Sequence, residues 1–313
     1  MKVGLIGAGG WGRNIARVLV ELGALGGIAD VRPEAREEVR QRYPGVAVHP
    51  DHRALLAADV PAVVIATPAA THYAVAREAL DAGKHVFVEK PLALRREEAE
   101  ELADLADHAR RILMVGHLLL YQPAVRWIEE FLRSEGVGSV WSLHQERLNL
   151  GTVRTVENAL WSLGVHDVAV LLHLVGERPT AVRAVGQAAL HPGVEDDIHL
   201  HLAFPGGIHA HIHASWLWPE KRRRLTVVGS KAMLVYDELL QQVTLHRRAI
   251  GPDLKPVDRG SEVVFQGTGE PLRLEMEEFL AAVREARRPR TDGRRAVEVV
   301  GVIEEASRQL GEG

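Results

Sequence analysis

Residues 3–12 read VGLIGAGGWG, an apolar run that leads directly into a cluster of glycines. Gly7, Gly9 and Gly12 have the spacing G-x-G-x-x-G, between a predicted strand and a predicted helix. In such a turn the first glycine allows the tight bend, the second lets the backbone approach a pyrophosphate, and the third lets the helix pack on the strand. Asp30 ends the next apolar run and is placed to accept hydrogen bonds from a ribose. The stretch predicts a dinucleotide-binding turn; the alternative is a tight turn without a ligand.

The residues around this turn alternate short apolar runs with helical segments, as in a parallel sheet covered on both faces. The predicted strands lie at 2–6, 25–30, 62–67, 85–89 and 112–116, and the predicted helices at 11–22, 33–42, 71–82 and 95–109. Residues 1–119 are therefore predicted to form an α/β Rossmann domain that binds a dinucleotide.

The pattern changes near residues 116–121, where we place the domain boundary. Predicted strands then lie at 139–149, 180–190, 197–204, 208–216, 225–228, 233–236 and 242–246, with helices at 124–133, 163–174, 271–286 and 295–310. Successive strands without intervening helices are typical of an antiparallel or mixed sheet. We expect residues 120–313 to form an α+β domain with a large, mostly antiparallel open sheet.

Composition excludes several classes of function. The chain has 313 residues, a formal net charge of -4 and no cysteine. The charge argues against nucleic acid as a partner, and the lack of cysteine excludes disulfides, cysteine-ligated zinc and thiol catalysis. The N-terminus enters a strand without a signal peptide, and no apolar run reaches the roughly 18 residues of a membrane span. We expect a cytoplasmic protein that binds neither nucleic acid nor a membrane.

A second motif, Glu89-Lys90-Pro91, follows the fifth predicted strand, at the edge where ligands bind in open α/β sheets. Together with the glycine loop, Ala66-Thr67-Pro68 and His72, it resembles the Gfo/Idh/MocA family of NAD(P)-dependent oxidoreductases. The resemblance continues along nearly the whole chain. Its further landmarks include Gly116-His117, Tyr121-Gln122-Pro123, Arg147-Leu148-Asn149, His166-Asp167, Ser215-Trp216-Leu217, Val227-Val228-Gly229 and Thr291-Asp292-Gly293.

The resemblance implies two catalytic residues. Lys90 would lie beside the nicotinamide and exchange a proton with a substrate hydroxyl; without the family, a surface lysine is an equal alternative. The family's second signature is D-x-x-x-H-x-x-D, and here His166 is retained while Ser162 and Ala169 replace the two aspartates. If Ser162 caps the helix, His166 lies in its first turn, where the positive helix end favours a neutral general base. The alternative for His166 is a core or capping histidine.

The predicted cofactor is NAD, because the carboxylate of Asp30 repels a 2′-phosphate, although Arg32 makes NADP possible. The residues expected to bind it are Gly7, Ala8, Gly9, Gly10, Trp11, Gly12, Asp30, Arg32, Thr67, Pro68, His72, Glu89, Lys90 and Pro91. The candidate substrate contacts are Arg147, Asn149, Arg154, Asn158, Ser162 and His166.

Alternating histidines occupy two neighbouring predicted strands, His199 and His201 on one, and His209, His211 and His213 on the next. With Gly206-Gly207 as a two-residue turn, the two sets face opposite sides of the sheet, whereas a slip of one residue would bring them together. We therefore expect a sheet face at a subunit interface and no metal site.

These inferences predict hydride transfer between NAD(P) and a secondary alcohol or ketone of a sugar or nucleotide sugar. An inositol-type or other small polyol dehydrogenase, and an inactive nucleotide-binding sensor, remain as alternatives. The resemblance also implies that the second domain forms a homodimer or homotetramer through its open sheet.

Overall fold

The structure, a computed structural model, describes residues 1–311. They form two compact units, Met1–Leu118 with Glu270–Gly301, and Leu119–Gly269 with the chain from Val302 onward. The segment Glu270–Gly301 was expected in the second domain but belongs to the first unit. The packing explains this, because fully buried Phe279 meets fully buried Phe87 edge-on, with ring centroids 5.7 Å apart.

The sheet of the first unit has six parallel strands in the order β3-β2-β1-β4-β5-β6. These strands are β1 Val3–Ile6, β2 Leu25–Ala29, β3 Ala47–His49, β4 Ala62–Ile65, β5 His85–Glu89 and β6 Leu113–Gly116. Every residue of β1, β4 and β6 is buried, which is why these strands read as continuous apolar runs. The strand order reverses between β1 and β4, the place where ligands bind in such sheets.

The sheet of the second unit has eight strands in the order β14-β13-β12-β11-β7-β10-β9-β8. These strands are β7 Val140–Leu150, β8 Ala181–Gln187, β9 Asp197–Ala203, β10 His209–Ser215, β11 Leu217–Gly229, β12 Met233–Asp237, β13 Gln242–Ile250 and β14 Pro256–Gln266. All neighbouring pairs are antiparallel except β7 and β10, which are parallel. The predicted fold class, a Rossmann domain followed by a mostly antiparallel sheet, is confirmed.

The helices account for the rest of the core. They are α1 Gly10–Glu21, α2 Pro33–Arg42, α3 His52–Leu56, α4 His72–Asp81, α5 Arg96–Ala109, α6 Pro123–Arg133, α7 Val165–Val175, α8 Pro271–Glu285 and α9 Gly293–Gly311. Within residues 1–311, none of them combines the length and apolar character needed to cross a membrane.

Three elements were not predicted, and each has a weak sequence signal. β3 has only three residues, none of them buried. α3 has five residues and is capped by Asp51, whose carboxylate accepts a hydrogen bond from the amide of Ala54 at 2.9 Å. In β14 no residue is buried, so its sequence lacks the alternation of apolar and polar residues that marks a half-buried strand.

The start of α7 also differs from the expectation. A π-helical turn, Leu160–Gly164, runs directly into α7, so Ser162 lies inside a helical turn and does not cap the helix. The side chain of Asn158 instead accepts a hydrogen bond from the amide of Trp161 at 3.2 Å. His166 is therefore not at a free, positive helix end.

The two histidine strands pair in a register that differs by one residue from the expected one. His211 pairs with His201 and His213 with His199, so both sets lie on one face. The connection is a 3-10 turn at Pro205–Gly207 and not the two-residue turn assumed, because Pro205 cannot extend the strand. Between the histidines the apolar residues face the core, and this pattern fixes the register. The buried apolar residues are Ile198, Leu200, Leu202, Ala210, Ile212 and Ala214.

The start of α1 packs tightly against the turn before it, and this contact leaves no room for a side chain at Gly12. A β-carbon at Gly12 would lie 2.0 Å from the carbonyl oxygen of Gly7, whereas one at Gly10 would meet no atom within 4 Å. We expect Gly12→Ala to lower the free energy of unfolding by about 1–3 kcal/mol, as overpacking does. The control Gly10→Ala, in the same helix, should leave it unchanged or raise it by up to about 1 kcal/mol. Denaturant unfolding measures both, and equal stability of the two variants would contradict the close contact.

Candidate active site

A cleft of about 670 Å³ opens at the carboxyl ends of β1, β2 and β4 in the first unit. It is lined by Ile6, Gly7, Gly9, Gly10, Trp11, Ala29, Asp30, Val31, Arg32, Asp51, His52, Ala66, Thr67, Pro68, Thr71 and Val75. Gly7 adopts a φ of 98°, which favours glycine, and the positions of β-carbons at Gly9 and Gly10 face open space. The glycine loop therefore leaves room for a pyrophosphate beside the start of α1.

Eight of the predicted cofactor residues line this cleft: Gly7, Gly9, Gly10, Trp11, Asp30, Arg32, Thr67 and Pro68. The other six predicted cofactor residues do not line it: Ala8, Gly12, His72, Glu89, Lys90 and Pro91. Asp51 and His52 line the cleft but were not predicted. The signal that could have identified them is the capping position of Asp51 before α3.

Asp30 is buried at the end of β2 and is held by several donors. Its carboxylate accepts hydrogen bonds from the amide of Ala8 at 2.8 Å, and from the amide and guanidinium of Arg32 at 2.9–3.0 Å. Burial raises the pKa of Asp30, but the bonds from Arg32 and Ala8 outweigh burial and lower it. The side chain is therefore an ionised hydrogen-bond acceptor at neutral pH. In this form it would repel the 2′-phosphate that distinguishes NADP from NAD.

Two contacts fix the Glu89-Lys90-Pro91 motif to the walls of the cleft. The indole N–H of Trp11 donates to the carboxylate of Glu89 at 2.5 Å. The ring of His72, which is 1% exposed, lies with Nδ1 2.7 Å from the carbonyl oxygen of Pro91 and Nε2 2.9 Å from that of Thr67. His72 thus joins the loop after β4 to the loop after β5, and Lys90 lies between the two anchored neighbours.

A fully buried carboxyl group interacts with the half-buried Glu89. Glu275 on α8 is 0% exposed, and neither carboxylate oxygen has a hydrogen-bond partner within residues 1–311. Burial raises the pKa of Glu89 to about 7, although Trp11 and Lys90 oppose the shift. Burial and then the charge of Glu89 raise the pKa of Glu275. Glu275 was not predicted; an acid on the apolar face of α8, beside Leu272 and Met276, was the available signal.

His117, which follows β6, is a further titratable group near the motif. It is 3% exposed, and neither ring nitrogen has a hydrogen-bond partner in the described chain. Burial, followed by the charge of Lys90, lowers the pKa of His117 to about 3. The imidazole is therefore neutral at physiological pH and does not add a second positive charge beside Lys90. His117 served only as a family landmark in the sequence.

In the second unit, Arg147 is an interior residue. Its guanidinium donates to both oxygens of Asp167 at 2.8–2.9 Å and to Glu238 at 3.0 Å, and Gln145 adds a bond to Asp167 at 2.8 Å. Burial lowers the pKa of Arg147, but the two carboxylates raise it further, so the group stays charged. Because this guanidinium is already paired with two carboxylates inside its own unit, we do not propose Arg147 as a substrate contact.

The other predicted substrate residues differ in accessibility. Asn149 accepts a hydrogen bond from Arg223 at 2.5 Å, and Asn158, which is 8% exposed, donates to Glu195 at 2.8 Å. Arg154 is exposed, whereas Ser162 and His166 are half-buried.

Ser162 lies in the π-helical turn, and His166 follows in the first turn of α7. Such turns occur frequently at functional sites. Asp167 cannot replace the missing family aspartate, because it is fully buried against Arg147. Lys90 and His166 belong to different units.

Comparison with known proteins agrees with this geometry. Residues 1–117 match the Gfo/Idh/MocA oxidoreductase family with an NAD-binding Rossmann fold, and residues 138–235 match the Gfo/Idh/MocA C-terminal domain. The chain is 33% identical to UDP-N-acetylglucosamine 3-dehydrogenase of Acidithiobacillus ferrooxidans over 92% of this chain and 90% of the relative. The chain belongs to the Gfo/Idh/MocA family. The family prediction is confirmed, as are the oxidoreductase class and the NAD-binding fold.

Further similarities to known proteins differ in how much of this chain they cover. Inositol 2-dehydrogenase of Acidothermus cellulolyticus is 36% identical, but the match covers 59% of this chain and 56% of that enzyme. The solved structure of the Acidithiobacillus enzyme superposes with a TM-score of 0.89 at 30% identity, covering 100% of this chain and 98% of the other. An oxidoreductase of unassigned substrate from Magnetospirillum magnetotacticum gives a TM-score of 0.83 at 34% identity, over 96% of this chain and 99% of that one.

The acid pair of this Gfo/Idh/MocA chain predicts a pH-dependent stability. A carboxyl group whose pKa in the folded state exceeds its unfolded value, roughly 4.3, binds its proton more tightly when folded. Stability is therefore lost as pH rises from about 4 through 7. We expect Glu275→Gln, which removes one charge, to stabilise the protein at pH 8 by about 1–3 kcal/mol and to have little effect near pH 4.5.

Thermal unfolding across this pH range measures the effect of Glu275→Gln. The control is Glu277→Gln on the same helix, whose partly exposed carboxylate pairs with Arg273, and it should show no such pH dependence. A stabilisation by Glu275→Gln that is the same at pH 4.5 and pH 8 would exclude the charged pair as its cause.

Asp30 predicts a preference between the two nicotinamide cofactors in this family member. Wild-type protein should bind NAD(H) at least about tenfold more tightly than NADP(H), because a like charge at the ribose costs more than about 1.4 kcal/mol. Asp30→Asn should reduce this ratio. The control Glu38→Gln makes the same change in net charge at a residue outside the cleft, where Glu38 pairs with Arg13. This variant should leave the ratio of NAD(H) to NADP(H) affinity unchanged. Calorimetric titration with each cofactor measures these affinities. Equal or tighter binding of NADP(H) by the wild type would mean that Arg32, and not Asp30, determines the cofactor preference.

Proposed function

We propose that this protein transfers a hydride between NAD and a secondary alcohol or ketone of a sugar, with a nucleotide sugar as its substrate. The observation that carries the reaction type is the anchoring of Lys90 at the rim of the dinucleotide cleft, through Trp11–Glu89 and Thr67–His72–Pro91. The support for the substrate class is the relative that acts on UDP-N-acetylglucosamine, because its match spans both units. The inositol dehydrogenases match little more than half of the chain.

The proposed chemistry divides between cofactor and protein. Bound NAD supplies a hydride acceptor or donor at nicotinamide C4. The glycine loop and Asp30 hold the dinucleotide, with Asp30 accepting from the ribose. Lys90 Nζ takes or returns the hydroxyl proton of the substrate, so an alcohol and NAD⁺ give a ketone, NADH and a proton. His117, neutral beside Lys90, avoids a repulsive charge there.

His166, in the first turn of α7, is the second proposed proton-transfer group. The family aspartate that would raise its basicity is Ser162 here, and Asp167 is occupied by Arg147. Lys90 therefore carries more of the proposed proton transfer than His166. Arg154, exposed before the π-helical turn, is the proposed partner for a substrate phosphate.

The outer face of the second sheet supports assembly into a homodimer or homotetramer. Residues that point away from its core include apolar side chains on four strands: Val185, Val228, Met233, Val235 and Val263. Apolar side chains on a sheet face are a liability when they form a large exposed patch. Covering them with a second copy is the proposed reason for oligomer formation.

A panel of sugars, polyols and nucleotide sugars, assayed by NADH formation, tests the substrate. On the substrate found, Lys90→Ala should lower turnover by roughly 100-fold or more, the scale of losing a proton-transfer group, with little change in NAD affinity. Lys84→Ala is the matched control, since Lys84 precedes the same strand at its opposite end and donates to the carbonyl of Ala58.

Unchanged turnover in Lys90→Ala would refute its catalytic role. Oxidation of inositol in preference to every nucleotide sugar would favour the polyol dehydrogenase instead. If no compound is oxidised while NAD binds normally, the nucleotide-binding sensor becomes the better explanation.

A further inference from the structure

The outward face of the second unit's sheet carries histidines from three adjacent strands. These are His144 on β7, His199 and His201 on β9, and His209, His211 and His213 on β10. The register pairs His213 with His199 and His211 with both His201 and His144. Asp197, two residues before His199 on β9, points to the same face and adds a carboxylate to the histidines.

The side chains of Asp197, His199 and His213 lie close together. His213 Nε2 lies 3.0 and 3.2 Å from the two carboxylate oxygens of Asp197, and His199 Nε2 lies 3.8 Å from one of them. The rings of His199 and His213 are stacked with centroids 4.0 Å apart and an angle of 17°. One ligand atom from each residue falls within 4.8 Å of the other two.

Two of the three donor-atom separations are close to those in a metal coordination shell. Zinc binds imidazole nitrogen and carboxylate oxygen at about 2.0–2.2 Å with tetrahedral geometry, which places neighbouring donor atoms roughly 3.3 Å apart. The separations of 3.0 and 3.8 Å lie on either side of that value. Two imidazoles and one carboxylate favour a transition metal over Mg²⁺ or Ca²⁺, which prefer oxygen ligands alone.

An ion pair alone does not explain the arrangement. A pair between His213 and Asp197 needs no second imidazole, yet His199 stacks on His213 although it is largely exposed. The ring of Trp218 meets that of His213 edge-on at 5.2 Å and so restricts its orientation.

The neighbouring histidine pair is different. His201 Nδ1 and His211 Nδ1 lie 2.6 Å apart, so one ring donates to the other. These two nitrogens are occupied by each other, whereas the ligand atoms of Asp197, His199 and His213 lie within 4.8 Å of one another.

We propose that Asp197, His199 and His213 form a binding site for a divalent transition-metal ion of the zinc class. The ion would have three protein ligands and one position open at the sheet surface. By bonding side chains of β9 and β10, it would link these two strands in the register that the core pattern sets.

Calorimetric titration of the chelator-treated full chain with ZnCl₂ tests the site. We expect one Zn²⁺ per chain, and His199→Gln and His213→Gln should each weaken binding by more than the roughly 10- to 100-fold that loss of an orienting group costs. His199 is largely exposed, so its replacement leaves the fold intact even if His213→Gln does not. His209→Gln, on the same strand and face as His213, is the control and should bind like wild type.

Substitution with Co²⁺ gives an independent readout. Wild type should show the intense visible bands of four- or five-coordinate cobalt, and His199→Gln should lose them while His209→Gln keeps them. Weak bands of six-coordinate cobalt in wild type would overturn the proposal. So would equal losses of Zn²⁺ affinity in His199→Gln, His201→Gln and His209→Gln, because they would indicate diffuse binding by the whole histidine face.

Discussion

The carbonyl oxygen of Gly7 lies where a β-carbon at position 12 would clash with it, and this close approach is the constraint on which the first unit depends. It brings the start of α1 against the end of β1, and this creates the open cleft in which the glycine loop faces Asp30. It also fixes Trp11, whose indole reaches Glu89. The position of Lys90 therefore follows from a glycine that lies far from it in sequence, because the turn, the tryptophan and the acid form one connected chain of contacts.

How much of the fold is readable from sequence depends on burial. β1 and β4 are buried on both faces and appear as apolar runs, and β5 was predicted with its observed bounds. β14 has no buried residue, so its pairing with β13 leaves no periodic trace. In the histidine strands, a rule about turn length gave the wrong register, because the matching of apolar residues across β9 and β10 is the stronger determinant.

The site shows the same division. The glycine loop, Asp30 and the Glu-Lys-Pro motif are local features, so they can be predicted from their spacing relative to single strands. Glu275 and His117 approach the motif only through tertiary packing, so local spacing does not show that they lie near it. Arg147 is the opposite case: the sequence predicts a substrate contact, while its contacts with Asp167 and Glu238 are those of an interior ion pair. Both cases show that spacing identifies backbone turns better than it identifies the partner of a charge.

The composition of the first unit from two distant segments has a consequence for synthesis on the ribosome. Its six strands lie within the first 118 residues, but α8, which covers Phe87 with Phe279, is translated only after residue 270. Domains generally fold in the order in which they emerge. Here the whole second sheet is made first, while Phe87 of the nascent Rossmann sheet lacks the cover of Phe279. A transcript that stops before Glu270 would release a chain with every predicted cofactor-binding residue and an exposed apolar surface, a natural target for chaperones and proteases.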